Sequence, residues 1–284
     1  MYTCDFQRDT FDYILELDRI RSSIPEELRP SWIKVTTITL ICKELGEIPI
    51  NEFKDMLVKE LDGHKCTYIA RTMASGRSSE YMDTVRLSYD VGFQNQVSFI
   101  FEDDFSRKSM KIFPNGSVQI AGASDLMDCV KLVNLLIKGI FNDKKTINLK
   151  IDTRKIKKEI AMVNSNFSLN YHIDLYETYE HFKMNPMFDV TFDPDRYSAI
   201  KIKFSPGEGL QDKPVTVSIF GTGKVIVTGA RSLKAIAKSY EIIMANLNDN
   251  DDIRVEKTTK VDVFGMINGY KINDFIAYIK KNKM

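Results

Sequence analysis

Short stretches of alternating apolar and polar residues punctuate this chain, and each group of them runs into an apolar stripe at helical spacing. The alternation in IKVTTITLI (33–41) predicts a half-buried strand, and NEFKDMLVKEL (51–61) predicts the helix that follows it. AMVNSNFSL (161–169) and IDLYETYEHF (173–182) repeat that order, while FQNQVSFIF (93–101) and YSAIKIKF (197–204) read as further strands. A hairpin and a long helix close each group. Leu233, Ile236, Ala237, Tyr240, Ile243, Met244 and Leu247 form the apolar stripe of the later helix. Leu126, Cys129, Val130, Val133, Leu136, Ile137 and Ile140 form that of the earlier one.

The two groups are copies of one unit. IFPNGSVQIAGASDLMDCVKLVNLLI (112–137) and IFGTGKVIVTGARSLKAIAKSYEIIM (219–244) align without a gap. Ile112 matches Ile219, Phe113 matches Phe220, Gly116 matches Gly223, Gly122 matches Gly229 and Leu126 matches Leu233. Asn115-Gly116 and Thr222-Gly223 predict two-residue hairpin turns that need positive φ, and Gly122 and Gly229 are expected to end the second strands. The first copy is longer after its first helix, where residues 62–90 read as an insertion containing a loop. The expected organisation is an N-terminal extension (1–29), repeat 1 (30–142), repeat 2 (143–248) and a C-terminal extension (249–284) in which INDFIAYIKK forms a helix.

Composition narrows the class. Hydrophobic residues make up 43% and charged residues 28%, a globular balance. No run of about 18 apolar residues is present, so no membrane-spanning helix is expected. Cys4, Cys42, Cys66 and Cys129 are too scattered for a zinc ribbon or a disulfide framework. Only His64 and Cys66 sit close, with no second ligand pair, so neither a metal nor any cofactor is expected. The net charge of +1, from 40 basic and 39 acidic residues, argues against a densely basic nucleic-acid surface. It leaves room for a nucleic-acid binder whose contact face is apolar. A soluble intracellular protein follows as the expectation.

SIFGTGKVIVTGAR (218–231) resembles the most characteristic stretch of the TATA-box-binding protein family, and IFPNGSVQIAGA with its following helix supplies the second copy. The pairing of FQNQVSFIF with IFPNGS resembles versions found in large DNA viruses. The resemblance spans roughly residues 30–248. It implies an α+β fold: two pseudo-symmetric repeats forming a curved antiparallel β-sheet saddle of ten strands, with four helices on the convex face. It also implies a transcription factor, not an enzyme, that binds and bends the minor groove of A·T-rich double-stranded DNA. Partners would be general transcription factors or RNA polymerase subunits, and the protein would be a monomer with an internal pseudo-two-fold.

A minor groove offers few distinguishing donors and acceptors, so such a protein reads deformability with apolar and hydroxyl side chains and kinks the duplex with apolar wedges. Carried onto this sequence, the wedges are Phe113 and Phe220 at the hairpins with Phe93 and Tyr197 on the preceding strands. The groove floor is met by Val35, Thr37, Gln119, Val163, Ser165, Ile226 and Thr228. Phosphates are met by Arg196, Lys203, Thr222 and Lys224 in the second copy, and by Asn115 and Ser117 at the first-copy turn.

Several positions depart from the family pattern. The asparagine on the first strand of each repeat is Ile33 and Ala161 here, the first-copy threonine is Ala121, and Tyr197 replaces a phenylalanine. The first copy's strand runs into Glu102, Asp103 and Asp104, so the second half is expected to grip DNA harder. These departures support an alternative, a protein-interaction scaffold in a transcription complex that has lost autonomous DNA binding. GTGK (221–224) leads into a strand and not a helix, so it is not a nucleotide loop. His172 and His181 have no nucleophile to complete a catalytic set.

Overall fold

Two strand-rich stretches each bury one face under helices, and the chain divides accordingly. A computed structural model describes residues 3–60, 65–71, 82–102, 107–124, 126–135, 156–207, 213–257, 265–267 and 270–282. It separates into a continuous unit, Thr37–Ala161, and a split unit made of Met1–Thr36 and Met162–Met284. No helix among the described residues is long and apolar enough to cross a membrane.

In the continuous unit the elements are β1 (Lys34–Lys43, entering from the split unit), α2 (Ile50–Glu60), β2 (Lys65–Arg71), β3 (Met82–Asp90), β4 (Val97–Glu102), β5 (Arg107–Ile112), β6 (Val118–Ala123) and α3 (Leu126–Leu135). The strands lie in the order β2-β3-β4-β5-β6-β1, antiparallel wherever their register is given. Val97, Phe99, Phe101, Met110, Ile112, Val118 and Ile120 are buried on one face, with Phe53 of α2 and Leu126, Cys129 and Val133 of α3. The predicted stripe residues Leu136, Ile137 and Ile140 lie outside the described residues.

The split unit carries β7 (Lys157–Ser168, its first residues in the continuous unit), β8 (His172–Ile173), α4 (Leu175–Lys183), β9 (Asp189–Asp193), β10 (Tyr197–Phe204), β11 (Val215–Phe220), β12 (Lys224–Ala230), α5 (Leu233–Asn248) and β13 (Arg254–Val255). Its sheet order is β7-β12-β11-β10-β9, and β13 pairs with β8. Asp174 caps α4 by accepting from Tyr176 N and Glu177 N, and Ser232 caps α5 by accepting from Ala235 N. Every residue of the predicted α5 stripe is buried, together with Val215, Val217, Ile219, Val225 and Val227 beneath it.

Two features of the repeat differ from expectation in the same way in both copies, and a third is confined to the first copy. The hairpin loops hold three residues, not two. Gly116 N donates to Phe113 O at 3.0 Å and Gly223 N to Phe220 O at 2.8 Å, and within each loop only the glycine has positive φ. That is a type I turn closed by one left-handed residue, which Asn-Gly and Thr-Gly serve as well as the tighter turn. Gly122 and Gly229 do not end their strands. They sit inside β6 and β12 with φ of 91° and 85°, where the pairing to β1 and to β7 slips at matching places. Each is a bulge that bends its strand. Finally, the 62–90 stretch adds structure: β2 pairs with β3 from Lys65↔Ser88 to Arg71↔Met82. The continuous unit therefore has six strands where half of a ten-stranded sheet would have five.

The terminal stretches also build on the split unit. α1 (Thr3–Ser22), for which the sequence suggested no element, buries Tyr13, Ile14, Leu17 and Ile20, and its Arg19 spans Glu16 at 2.6 Å and Glu241 of α5 at 2.7 Å. α6 (Ile272–Asn282) meets α1 through Phe275 edge-on to Phe11 and through Lys280 to Asp18 at 2.7 Å. The apolar spacing of α1 is interrupted by DFQRD and ELDR, which hid it.

Three outcomes are expected. Gly223→Ala should lower stability by about 1–2 kcal/mol from the left-handed backbone alone. The added methyl would also come within 2.3 Å of Tyr171 O, so urea unfolding should show a larger loss. Leu17→Ala should cost about 2–5 kcal/mol as a buried truncation, seen in the same assay. Hydrogen bonding to Arg19 and to Lys238 holds the Glu16 and Glu241 carboxyls, respectively, below their ordinary range. The stability they contribute is therefore complete above the unfolded carboxylate pKa and lost as pH falls through the depressed folded values. Amide exchange of α1 should accelerate in that acid window and not between neutral pH and the ordinary carboxylate range.

Candidate nucleic-acid interface

The alternation that buries valines under α4 and α5 exports a second set of side chains from the same strands. In the split unit three cross-strand rows form on the uncovered face. Asn166, Ile226, Ser218, Lys201 and Thr191 stand opposite one another in turn. A neighbouring row runs Thr228, Thr216, Lys203 and Asp189. The third carries Ser168 opposite Lys224, and Phe220 opposite Ala199. Tyr197 is 38% exposed and meets Phe220 edge-to-face, with ring centroids 5.7 Å apart. Both rings lie at the hairpin end of the unit, as expected from the sequence.

Lys203 and Lys224 are exposed in these rows, and Arg196 is exposed in the β9–β10 turn, its guanidinium 4.0 Å from Asp193. Thr222 is exposed on the hairpin loop. Ile226 and Thr228 are half-buried on the same face, and Thr228 Oγ1 donates to Thr216 O at 3.2 Å. Val35 belongs to the β1 alternation that points away from the core. Two floor residues fall elsewhere. Val163 and Ser165 are both 0% exposed, on the face covered by the helices. The pleat had been read one residue out of step: Met162, Asn164 and Asn166 occupy the uncovered face, and Ala161 shares the alternation of Val163. Asn164 explains the pattern, since its Oδ1 accepts from Gly229 N at 3.4 Å across the bulge.

The continuous unit presents the equivalent face with different chemistry. Ile41, Gln119, Lys111, Ser98 and Asp90 form one row, and Ala121, Ser109, Ile100 and Ser88 the next. Thr37 lies in the outward alternation of β1. Phe113, half-buried, flanks the loop in which Asn115 Oδ1 accepts from Ser117 N at 3.0 Å. Phe93 is 57% exposed but sits in the turn before β4, not on a strand. Asp90 Oδ1 accepts from Gly92 N at 2.8 Å and starts that turn early. Lys54 Nζ holds the turn from α2 by donating to Phe93 O and Gln94 O. Ile33 is buried, and Asp103 and Asp104 lie outside the described residues.

Sequence reasoning overlooked three cations. Lys111 and Arg107 of β5 are exposed and return positive charge to the first copy, whose β4 ends in Glu102. Lys201 lies between Tyr197 and Lys203 in the period-two pattern of YSAIKIKF, which contained the signal.

Residues 157–250 match the family model described as transcription factor TFIID, or TATA-binding protein. The TATA-box-binding protein-like protein of Acanthamoeba polyphaga mimivirus is 28% identical over 238 residues, 74% of this chain. The chain spans 64% of that relative's length. The TATA-box-binding protein of Methanococcus maripaludis (strain C6) is 22% identical over 144 residues, covering 51% of this chain and 70% of the relative. Among solved structures, the Methanococcus jannaschii TBP aligns with 77% of this chain and 99% of its own, at a TM-score of 0.48 and 17% identity. The matching family model is named for a transcription factor, and one of the relatives is viral. The chain is thus similar to TATA-binding proteins, and the part that the family model matches is the second repeat, which carries the Tyr197–Phe220 ring pair.

Proposed function

We propose that this chain is a general transcription factor that binds and bends the minor groove of A·T-rich promoter DNA and so recruits RNA polymerase machinery. The observation that carries the reading is the Tyr197–Phe220 pair, with Tyr197 exposed and Phe220 half-buried at the end of an uncovered face beside Lys201, Lys203 and Lys224. An aromatic ring left open on a sheet invites a partner to cover it, and a kinked base step is flat, apolar and of the right thickness.

Around the pair the face has the balance that a minor groove asks for. Ile226, Thr228 and Thr216, all half-buried, give a low floor of methyl and hydroxyl groups, able to lie against base edges without a demanding donor pattern. Arg196, Lys203, Lys224 and the Thr222 hydroxyl surround that floor at phosphate positions. In the continuous unit Phe93 and Phe113 would act as the second wedge and Gln119 and Thr37 as floor. Lys111 and Arg107 would take the role that Asn115 and Ser117 hold only weakly. Specificity would come from the ease of unstacking A·T-rich steps and not from a hydrogen-bond code.

The scaffold reading draws on Asp189 and Asp193, which stand on the uncovered face opposite Lys203 and Tyr197. The two separate in one titration. Fluorescence anisotropy should show preference for a TATA duplex over a G·C-rich control. Tyr197→Ala with Phe220→Ala should weaken binding at least tenfold, about 1.4 kcal/mol. The Phe93→Ala, Phe113→Ala pair should weaken it less, because Phe93 sits off the strand; equal losses would remove the asymmetry. A folded protein that binds neither duplex would establish the scaffold instead.

A further inference from the structure

We infer that Lys201 is a latch on the Tyr197 wedge: it covers one face of the ring in the free protein and is handed to a DNA phosphate when the ring inserts. The inference rests on the proposed DNA-binding reading and adds a positioning residue to it.

The geometry is specific. Tyr197, Ala199, Lys201 and Lys203 share the uncovered face of β10, and the pairing with β9 slips between Tyr197 and Lys201. Ala199 between them is small and only 2% exposed, so the longer side chains on either side can lean together above it. They do: Lys201 Nζ lies 4.4 Å from the centre of the Tyr197 ring, within cation–π range. Phe220 meets the same ring at 65°. Tyr197 is therefore held upright between a phenyl ring and an ammonium, which limits the rotamers of a side chain that is otherwise exposed.

That arrangement competes with insertion into a kinked duplex. A wedge stacks on a base with its flat face, and the ring face carrying the ammonium is not free for a base. In the proposed handover that covered face is the one that meets the base, and the lysine leaves as the ring enters. The interaction it leaves is a weak one at an exposed site, and the nearest strong acceptors in a bound duplex are phosphates on the groove wall. Lys201 thus exchanges a π face for a phosphate, and the exchange links wedge insertion to counterion release. The Tyr197 hydroxyl leaves the ring's π face intact as a seat for the cation.

The test uses the full chain with selectively labelled lysine. In free protein the Lys201 ε-methylene proton signals should be shifted upfield by the ring current of Tyr197, and Tyr197→Leu should abolish the shift. Adding the TATA duplex should move those signals back to ordinary positions. Lys201→Met should reduce the slope of log affinity against log salt by about 0.9, whereas Lys234→Met, on the helical side, should leave it unchanged. No upfield shift in the free protein, a shift retained in the complex, or an unchanged slope for Lys201→Met would each overturn the latch. If the free-protein shift is present but wild type binds no duplex, the DNA-binding reading falls and the handover falls with it. Duplex binding with a retained shift removes the latch alone.

Discussion

The period-two pleat is the constraint on which the rest of this protein depends. On β10, β11 and β12 each valine or isoleucine sent under α4 or α5 sends its neighbour to the other side. The core is thus not independent of the candidate interface. Ile200, Ile202 and Phe204 are buried, and for that reason alone Lys201 and Lys203 are outside and level with one another. Hydrophobic burial supplies the free energy of folding, and it also arranges the polar and aromatic residues that face away from the core.

The same constraint sets how much could be read beforehand. The α5 stripe and the succession of β7, α4, β10, hairpin and α5 follow from spacing and from the gapless repeat, whereas the pairing of Tyr197 with Phe220 came from the family resemblance. Where positions came from that resemblance and not from the pleat, the reading slipped. AMVNSNFSL sets Ala161, Val163, Phe167 and Leu169 in the alternation of Ser165, and Asn164, Asn166 and Ser168 in the other, so the period-two pattern itself marks Ser165 as interior. A slip of one residue inverts a whole strand, which is what happened to Val163 and Ser165. The bulges at Gly122 and Gly229 were misread for a different reason, since a glycine looks alike at the end of a strand and at a bulge within it. Phe93 was placed on a strand because an aromatic residue favours one. Asp90 and Gly92 instead turn the chain before the sheet resumes at Val97.

Repeat symmetry here is strong in backbone and weak in chemistry. The two copies share loop type, bulge position and helix placement, all backbone properties set by a few glycines and the apolar alternation. Their uncovered faces diverge: Ile226 corresponds to Gln119, Ser218 to Lys111 and Thr228 to Ala121. Stability selects on the buried alternation in both halves alike, whereas the exported residues vary with little cost to the core.

The division of the chain has a consequence for how the protein is made. The continuous unit is a single stretch, Thr37–Ala161, while the split unit needs residues from both sides of it, including α1 on α5 and Phe11 on Phe275. During synthesis the middle of the chain has all its strands available long before α5 and α6 leave the ribosome. Until they do, the apolar side of α1 has no surface to rest on. The N-terminal helix therefore waits through most of translation for the surface on which it packs.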